Sequence, residues 1–522
     1  MTEQRAQWKS KMGFILAASG SAIGLGNIVV FSGNAYKFGG GAFYLPYFVA
    51  LFLIGIPVMI MEFGLGGMTR KSFPIAMRQA GGRAGEWVGW FAILNAGIIS
   101  IWYVTLLAWV VGMGLGAMTN KVFVDTVTVD WVGGTGAPMQ GPQGYFFQMI
   151  AGWLPVVCVI VVWALNVIIT WRGTQTIEKA VKVFVPLMWV AMILLVVQGL
   201  FFLDGGFDGG KVLFTPHKEA LGQLSVWQGS VSQILFTLSL GFGVMTAYAS
   251  YLPKKSDMTH NAVTTSLLNC GFEWIAGAAI FSILFVYAIE PKASTLAMMY
   301  FTVPWGIKAL PVNHQVFGTA FFLLLLVAGL TSSISLVEAV VAAARDKFRA
   351  SRMKVLAIVF VIGVVGSVLC SLPTIVDQDL KETGTLGLLL VDLFGHWSFD
   401  TGLIIVAILE CIVIGWVMGV DKIRAYVNDN SRFNLGLWFN ALIKWVIPGS
   451  LSYILIYNFV EYDAKKGALY GSTYAAKFGL PEGPLASIVA ALPIIALVVW
   501  VVGTAGVALW LTRSKGAEEE TA

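Results

Sequence analysis

Uncharged, oxygen-bearing side chains gather at two glycine-rich interruptions in stretches that are otherwise apolar. The first interruption lies between Gly13 and Gly41, where glycines stand among serines and asparagines: Gly20, Gly24, Gly26 and Gly33 with Ser19, Ser21, Asn27 and Asn34. The second is SLGFG, Ser239 to Gly243, just after Thr237. A helix that unwinds frees backbone carbonyls to bind a cation, and its half-helix ends present amides to an anionic group. The pattern therefore indicates a binding site.

The elements that must hold these residues are membrane-spanning helices. Of the 522 residues, 57% are hydrophobic and only 12% are charged, whereas a soluble domain has about 25% charged residues. A span needs roughly 20 apolar residues, and it must be helical because lipid cannot pair with exposed backbone groups. The predicted spans number twelve: 12–36, 41–68, 87–117, 149–170, 177–203, 226–252, 260–289, 314–344, 354–372, 385–419, 435–459 and 484–511. The predicted fold class is an all-α polytopic membrane protein.

The two interruptions fall in the first and the sixth predicted spans. These positions correspond if spans 1–5 and spans 6–10 are two copies of one unit. Interrupted spans at matching positions are typical of the binding site of a secondary transporter. A simpler alternative stays open, because glycine also allows two helices to pack closely in a membrane. That alternative explains one glycine-rich span better than it explains two.

The distribution of basic residues predicts the orientation in the membrane. Most of the 33 lysines and arginines fall in cytoplasmic segments if the N-terminus is cytoplasmic, as the positive-inside rule requires. Twelve spans then place both termini in the cytoplasm. The net charge of +5 therefore follows from topology and indicates no nucleic-acid partner. The cysteines fall in spans and show no disulfide or metal-ligand spacing; they are Cys158, Cys270, Cys370 and Cys411.

Motifs that carry enzymatic chemistry are absent from the sequence. It contains no His-Glu-x-x-His, no Gly-x-Ser-x-Gly elbow and no Gly-x-x-x-x-Gly-Lys-Ser/Thr phosphate loop. We therefore predict that the chain is not an enzyme and does not itself hydrolyse ATP.

Several longer motifs, in the right order, resemble the neurotransmitter:sodium symporter family, most of all its bacterial members. They are GLGN followed by KFGGGAF, then RGTQTIEKAVKVFVP, FTLSLGFG with YASY, and AGLTSSIS. The resemblance runs from Arg5 to about Asp421 and is weaker through spans 11 and 12. It implies a 5+5 inverted repeat of helices in which helices 1 and 6 are discontinuous. The implied division is a cytoplasmic tail (1–11), a transport core (12–419), spans 11 and 12 (420–511) and a cytoplasmic tail (512–522).

Two sodium sites are implied by the resemblance. The matching positions of the first site are Ala22, Asn27, Thr237 and Asn269. Those of the second site are Gly20, Ile23, Ala328, Thr331 and Ser332. Every position has a compatible residue, because hard cations prefer oxygen ligands and backbone carbonyls, amides and hydroxyls supply oxygen without charge. Na⁺ is therefore the expected cofactor.

A substrate pocket between the two interruptions is also implied. The matching positions are Ser21, Leu25, Gly26, Ile99, Tyr103, Phe236, Ser239, Phe242, Ser332 and Leu336. Tyr103 resembles the tyrosine whose hydroxyl helps to hold a substrate carboxylate. The rest of the implied lining is mostly apolar and aromatic, which suits a small ligand with an apolar body.

The cytoplasmic gate of the family has matching residues here. Arg5 and Asp346 correspond to its closing ion pair, and the supporting residues are Trp8, Ser250 and Tyr251. Glu338 is acidic where many relatives have an uncharged residue. A carboxylate at membrane depth is costly and suggests a function, but we expect Glu338 to face a watery cytoplasmic vestibule.

The outer gate departs from the family pattern. Relatives usually follow GLGN with Arg-Phe-Pro, but here Val30 replaces the arginine and Ser32 replaces the proline. The acidic partner in span 10 is altered too, since Gly395 stands at its aligned position; the nearest acids are Asp392 and Asp400, and an insertion within 373–399 leaves their alignment open. We predict an outer gate closed by apolar packing, with candidates Val30, Phe31, Gln233 and Phe236.

The position of Glu273 leads us to predict that transport needs no chloride. It lies one helical turn after Asn269, on the same helix face. The resemblance places it where chloride-independent bacterial relatives carry a carboxylate in span 7. A fixed negative charge there would balance sodium as chloride does in other relatives.

The expected function is a sodium-driven symporter that takes up a small apolar or aromatic amino acid, or a metabolite derived from one, by alternating access. One alternative is a transporter of a non-zwitterionic, indole-like compound with weak or no sodium coupling, for which a proton is the candidate driving ion. A further alternative is a membrane sensor that binds its ligand without moving it. We expect a monomer or loose dimer in the bacterial inner membrane, with a small-molecule substrate and the lipid bilayer as partners.

Overall fold

Long helices dominate the computed structural model, which describes residues 7–131, 134–289, 294–311, 313–373, 385–460, 469–480 and 482–514. Nine helices in this part of the chain are long and apolar enough to cross a membrane. Two bent helix pairs raise that number to eleven, and the divided sixth span completes the predicted twelve. The nine helices are Gly41–Thr69 (span 2), Phe73–Met118 (span 3, kinked at Gly82), Thr174–Phe201 (span 5), Met258–Val286 (span 7), His314–Phe348 (span 8), Arg352–Leu369 (span 9), Leu386–Asn430 (span 10), Leu437–Phe459 (span 11) and Pro484–Arg513 (span 12).

Three spans are divided. Span 1 consists of Lys11–Ala22 and Gly26–Lys37, which meet at an angle of 57°. Span 4 combines Gly141–Ile150 with Leu154–Thr170 at 81°, a bend that hydropathy alone did not predict. Span 6 consists of Leu224–Thr237 and Val244–Ala249, separated by an unwound segment. The predicted discontinuities of spans 1 and 6 are therefore confirmed.

The break in span 6 follows from its residues. Gly241 and Gly243 have φ angles of +76° and +70°, in the left-handed region that glycine enters without strain. Ser239 adopts a φ of +54°, and its hydroxyl donates a hydrogen bond to the Ser21 carbonyl oxygen (3.2 Å). The two unwound segments are thus tied directly to each other.

The spans differ in how much of their apolar surface is buried, and this difference distinguishes an inner bundle from an outer layer. In spans 2 and 8, 78% of the most apolar stretch is buried, whereas the value is 22% in spans 5, 9 and 12. Span 8 packs closely against span 3, and the unwound parts of spans 1 and 6 lie beside this pair. Spans 9 and 12 therefore present most of their apolar side chains outward, as a lipid-facing layer requires.

The segments between spans contain structure that the sequence analysis missed. An antiparallel hairpin, Thr126–Trp131 (β1) and Gly134–Gln140 (β2), lies between spans 3 and 4. Shorter helices lie at Gly206–Phe214, Thr295–Ala297 and Val303–Ala309, and another, Tyr474–Lys477, lies between spans 11 and 12. Span 3 also begins earlier than predicted, with a break at Gly82, whose φ is +62°.

Candidate functional site

Asn27 organises the break in span 1. The first half-helix ends at Ala22, and Ile23 is already extended. The Asn27 side-chain oxygen accepts a hydrogen bond from the Gly24 backbone N–H (2.7 Å). This bond satisfies one of the amides that the break leaves without a helical partner. An asparagine in the first turn of the second half-helix therefore fixes the shape of the unwound segment.

The residues of the first predicted sodium site meet in one buried cluster. The Asn27 amide donates to the Thr237 hydroxyl (3.0 Å) and to the Asn269 carbonyl oxygen (2.8 Å). The Asn269 amide donates to the same hydroxyl (2.8 Å). All three side chains are at most 1% exposed, and Ala22 ends the adjoining half-helix. Uncharged oxygens from spans 1, 6 and 7 converge here, a donor set that fits a hard monovalent cation.

Glu273 lies next to this cluster and is fully buried. One of its carboxylate oxygens accepts hydrogen bonds from the Thr237 hydroxyl (2.5 Å) and the Gln233 amide (2.8 Å). The other accepts a short hydrogen bond from Tyr47. A single negative charge is therefore held two hydrogen bonds away from Asn27. The Gln233 side chain, which is also predicted for the outer gate, accepts a hydrogen bond from Asn34 (3.0 Å) and is 2% exposed.

The residues of the second predicted sodium site also meet. The Thr331 hydroxyl lies 2.7 Å from the Ala328 carbonyl oxygen and 3.4 Å from that of Ile23. The Ser332 hydroxyl lies 3.4 Å from the Ile23 carbonyl oxygen as well. Gly20 faces Thr331 closely enough that a side chain there would touch it. Oxygens of spans 1 and 8 thus face each other with no charged residue in the predicted set.

Residues predicted for the substrate pocket also meet in the structure. The Tyr103 hydroxyl accepts a hydrogen bond from the Leu25 backbone N–H (3.4 Å), at the start of the second half of span 1. Gly24 faces Tyr103 and Ser332, and Gly26 faces the Phe236 ring so closely that a side chain at either position would collide. The remaining predicted residues are buried and mostly apolar: Ile99, Phe242 and Leu336. Ser21 and Ser239, which are also predicted for the pocket, are joined by the hydrogen bond from the Ser239 hydroxyl to the Ser21 carbonyl oxygen.

Phe236, Phe399 and Trp102 form an aromatic cluster beside the predicted pocket residues, and we call this cluster the aromatic lid. The Phe399 ring meets the Phe236 ring edge-on at 4.4 Å between centroids and lies 6.1 Å from Trp102. Ser398 fixes the lid, because its carbonyl oxygen accepts from the Asn95 amide (2.8 Å) and its hydroxyl accepts from the Trp102 indole (3.1 Å). Phe399 was not predicted from the sequence. It lies in a π-helical turn, His396–Gly402.

The other residues predicted for the outer gate are Phe31 and Val30. Phe31 is fully buried and packs on Phe43, Tyr44 and Tyr47, so its ring belongs to the protein core. Val30 is half-buried at the end of a π-helical turn.

The two acids considered for span 10 have partners of their own. Asp392 accepts hydrogen bonds from the hydroxyls of Tyr470 (3.2 Å) and Tyr474. Asp400 lies 3.6 Å from the His396 ring nitrogen. Polar groups of residues other than the aligned Gly395 therefore lie next to both carboxylates.

Comparison with known proteins places this geometry in a family. The model of the sodium:neurotransmitter symporter family matches residues 5–140 and 149–503. The chain belongs to this family. It is 37% identical to an uncharacterized sodium-dependent transporter of Methanocaldococcus jannaschii over 506 residues, which covers 93% of this chain and 96% of the relative.

Relatives with named substrates are more distant from this symporter-family chain. It is 26% identical to the sodium- and chloride-dependent taurine transporter of Rattus norvegicus, covering 88% of this chain and 79% of that protein. It is also 26% identical to the sodium- and chloride-dependent GABA transporter 2 of Bos taurus, covering 88% and 81%. The crystal structure of MhsT in complex with L-phenylalanine matches with a TM-score of 0.74 and 28% identity, covering 87% of this chain and 99% of MhsT. The relatives are sodium-dependent transporters, not enzymes.

Trp8 joins the start of span 1 to the end of span 6 in this symporter-family chain. Its backbone N–H donates to the Tyr251 carbonyl oxygen (3.1 Å), and its indole donates to the Tyr248 carbonyl oxygen (2.9 Å). Asp346 accepts from the Ser72 backbone N–H (2.7 Å). Arg5 lies outside the described residues. Ser250 is buried and donates to the Ala247 carbonyl oxygen (2.5 Å).

Glu338 does not face a watery vestibule, contrary to the expectation from sequence. It is 1% exposed, accepts a hydrogen bond from the Tyr251 hydroxyl (2.9 Å) and forms a close ion pair with Arg352. Arg352 also donates to the Thr170 carbonyl oxygen (2.8 Å). A buried carboxylate is stable when a fully hydrogen-bonded cation neutralises it, and the first residue of span 9 supplies that cation here.

Glu178, within the motif RGTQTIEKAVKVFVP, holds the beginning of span 1. Its carboxylate accepts hydrogen bonds from the Lys9 backbone N–H (2.8 Å) and the Ser10 hydroxyl (2.8 Å), and it pairs with Lys182 (2.7 Å). Gly13 lies directly against this carboxylate, where any side chain would overlap it. The motif therefore ties span 5 to the start of span 1.

Glu62 braces the break in span 6 and was not singled out by the sequence analysis. It is fully buried and accepts a hydrogen bond from the Gly241 backbone N–H (2.9 Å). The Thr246 hydroxyl donates to the Glu62 carbonyl oxygen (3.2 Å). The sequence did contain a signal for Glu62, because an acidic residue within an apolar span is costly and suggests a function.

Shortening the lid residue tests its role. We expect Phe399→Ala to weaken ligand binding roughly tenfold, because the edge-on aromatic contacts alone are worth about 0.5–1.5 kcal/mol and the pocket loses part of its cover. The measurement is the dissociation constant and dissociation rate of a bound amino acid in detergent. Phe394→Ala, one turn earlier in span 10, is the matched control and should change neither value by more than about twofold. Equal effects of the two changes would mean that Phe399 is not a lid.

Proposed function

We propose that this family member is a sodium-coupled symporter that takes up a small apolar or aromatic amino acid by alternating access. The observation that carries the proposal is the meeting of Asn27, Thr237 and Asn269 where two broken helices and span 7 converge. Bound sodium would supply positive charge for a substrate carboxylate. The second cluster, around Thr331 and Ser332, is proposed as a further sodium site.

The substrate class is inferred from the pocket. Tyr103 and the backbone amides at Leu25 and Gly26 offer hydrogen-bond donors for a carboxylate, and Ser21 offers a carbonyl oxygen for an amine. The surrounding Ile99 and Phe236 suit an apolar or aromatic body. MhsT, which resembles this chain over most of its length, was crystallised with L-phenylalanine, and this supports the proposed class.

A less conventional substrate is favoured by one observation. The aromatic lid contains no charged side chain, so that side of the pocket makes no demand for a charged head group. An indole-like compound, with weak sodium coupling or with a proton as the driving ion, is therefore the second candidate.

Calorimetry on tryptophan and indole separates the two candidates. If the conventional proposal is correct, tryptophan binds in sodium with an affinity at least about a hundredfold higher than that of indole, because the carboxylate and amine each form hydrogen bonds that indole lacks. Indole binding as tightly as tryptophan would contradict the amino-acid proposal and support a relaxed head-group requirement.

Uptake into proteoliposomes tests transport itself. Labelled ligand should accumulate when sodium is higher outside, and should stop accumulating when potassium replaces sodium at equal pH. Accumulation driven only by a pH gradient would identify a proton-linked transporter. Binding without accumulation under any gradient would identify a sensor.

We further propose the arrangement of the chain in the membrane. Both termini are cytoplasmic, residues 12–419 form the transport core, and residues 420–511 contribute spans 11 and 12, with short tails at 1–11 and 512–522. The proposed setting is the bacterial inner membrane, with the protein as a monomer or loose dimer. The contacts of Trp8, Glu178 and Glu338 would close the cytoplasmic side, and the aromatic lid would close the outer side.

A further inference from the structure

A cavity of about 370 Å³ lies at the proposed cytoplasmic end of the bundle, apart from the pocket and sodium clusters. Its walls come from the start of span 1, from the segment between spans 6 and 7, and from the segment between spans 10 and 11. Lys11, Lys255 and Arg432 contribute one cation from each of these three parts. Its volume falls within the range of about 300–1,000 Å³ that small-ligand sites occupy.

The charge of the cavity lining is positive. Against the three cations stands one carboxylate, Asp257, so the net formal charge is +2. Asp257 is already used by the fold, because it accepts hydrogen bonds from the backbone N–H groups of His260 (2.9 Å) and Arg432 (3.3 Å). Burial by itself would raise the pKa of Asp257, but these hydrogen bonds hold the pKa below its ordinary value. The three cations therefore have no free carboxylate in the lining to neutralise them.

Asn261 supplies an independent sign of a ligand. Its side chain lines the cavity, the residue is 1% exposed, and within the described part of the chain neither its amide nitrogen nor its oxygen has a hydrogen-bond partner. Buried polar side chains are almost always paired. Asn261 also lies in the first turn of span 7, a helix of 29 residues, whose N-terminal end favours negative charge.

We propose that this cavity binds a small phosphate-bearing anion. Lys and Arg side chains together with a helix N-terminus form a typical environment for phosphate. A phosphate monoester carries nearly two negative charges at neutral pH, which matches the net charge of the lining. The phosphate group can belong to a soluble metabolite or to a lipid headgroup, and both sources present the same chemistry to the cavity.

The bound anion has a consequence for transport, which rests on the proposed function. Ser10 lines the cavity and also donates its hydrogen bond to Glu178. An anion that joins Lys11 to Lys255 and Arg432 holds the start of span 1 against two neighbouring segments. Inward opening requires these parts to separate, so the anion slows release of substrate into the cytoplasm.

The test of the site is a thermal-shift titration of the detergent-solubilised full chain with inorganic phosphate, at constant ionic strength set with sodium chloride. A ligand of the native state raises the melting temperature as it saturates its site. We expect a saturable rise, and a half-saturating concentration at least about tenfold higher in Lys255→Gln, Arg432→Gln and Asn261→Ala. The matched control is Lys254→Gln, whose side chain lies outside the lining and whose half-saturating concentration should stay within about twofold of that of the unchanged chain.

Absence of a saturable rise, or an equal effect of Lys254→Gln and Lys255→Gln, overturns the site. Sodium and amino-acid binding would be unaffected by that failure, so it can be told apart from failure of the proposed function. Nanodiscs of phosphatidylcholine with and without phosphatidylglycerol then identify the source. Loss of the phosphate effect only with phosphatidylglycerol assigns the site to a lipid headgroup, and persistence assigns it to a soluble ligand.

Discussion

Asn27→Ala is expected to abolish sodium-driven uptake almost completely. The Asn27 amide joins Thr237 and Asn269, and its oxygen holds the Gly24 backbone N–H. Alanine removes one oxygen of the proposed first sodium site and leaves the buried Gly24 amide without its partner. Apparent sodium affinity should fall at least about tenfold, equivalent to about 1.4 kcal/mol, as measured by the sodium dependence of the melting temperature and by uptake into proteoliposomes.

Asn166→Ala is the matched control for this change. Asn166 is equally buried in span 4, where its amide donates to the Val162 carbonyl oxygen of the same helix (3.0 Å). We expect this variant to lower stability without changing sodium affinity. If Asn27→Ala keeps the sodium response of the unchanged protein, the first cluster is not a sodium site. In that case Asn269→Ala should also leave the sodium response unchanged, so the two variants together test whether the cluster binds sodium.

Glu273→Ser should convert a chloride-independent transporter into a chloride-dependent one. The carboxylate is buried between Thr237, Gln233 and Tyr47 and balances the proposed sodium charge. Without it, the three donors surround a space that an anion can fill, and a buried cation left without a counter-charge is strongly unfavourable. Uptake by the variant in gluconate should fall at least about tenfold, or about 1.4 kcal/mol, and chloride should restore part of it.

The comparison requires the unchanged protein and a surface variant in the same two salts. Glu219→Ser removes one exposed acidic residue and should transport equally in chloride and gluconate. The mammalian relatives named above are sodium- and chloride-dependent, whereas the archaeal relative is named only as sodium-dependent. Transport by the unchanged protein that requires chloride would defeat the proposal for Glu273.

The sequence predicted those features that depend on local chemistry. Glycines at Gly241 and Gly243 permit the backbone angles of the break in span 6, and a short polar side chain such as Asn27 can cap an unwound end. These signals, together with the family resemblance, located both broken spans and the residues that meet there.

Features that depend on packing between distant segments were not predicted. Arg352 reaches Glu338 from the next helix, and hydropathy contains no information about that approach. Phe31 and Phe399 are equally apolar, yet one packs into the core and the other covers the pocket. Their different positions follow from the rotation of each helix, which a one-residue change in helical register alters by about 100°.

The wide turn His396–Gly402 gives span 10 two helical phases. A π-helical turn amounts to one extra residue accommodated inside an α-helix, and such turns are frequent at functional sites. Phe399 lies within it, so its direction is set by how many residues the turn contains and not only by their identity. Removing one residue from this turn would return the helix to an even winding and swing the ring away from Phe236, while the half of the helix that carries Glu410 keeps its phase. Single-residue insertions and deletions at this point are therefore a route by which transporters of this family can acquire or lose an aromatic cover without rebuilding the ion sites beneath it.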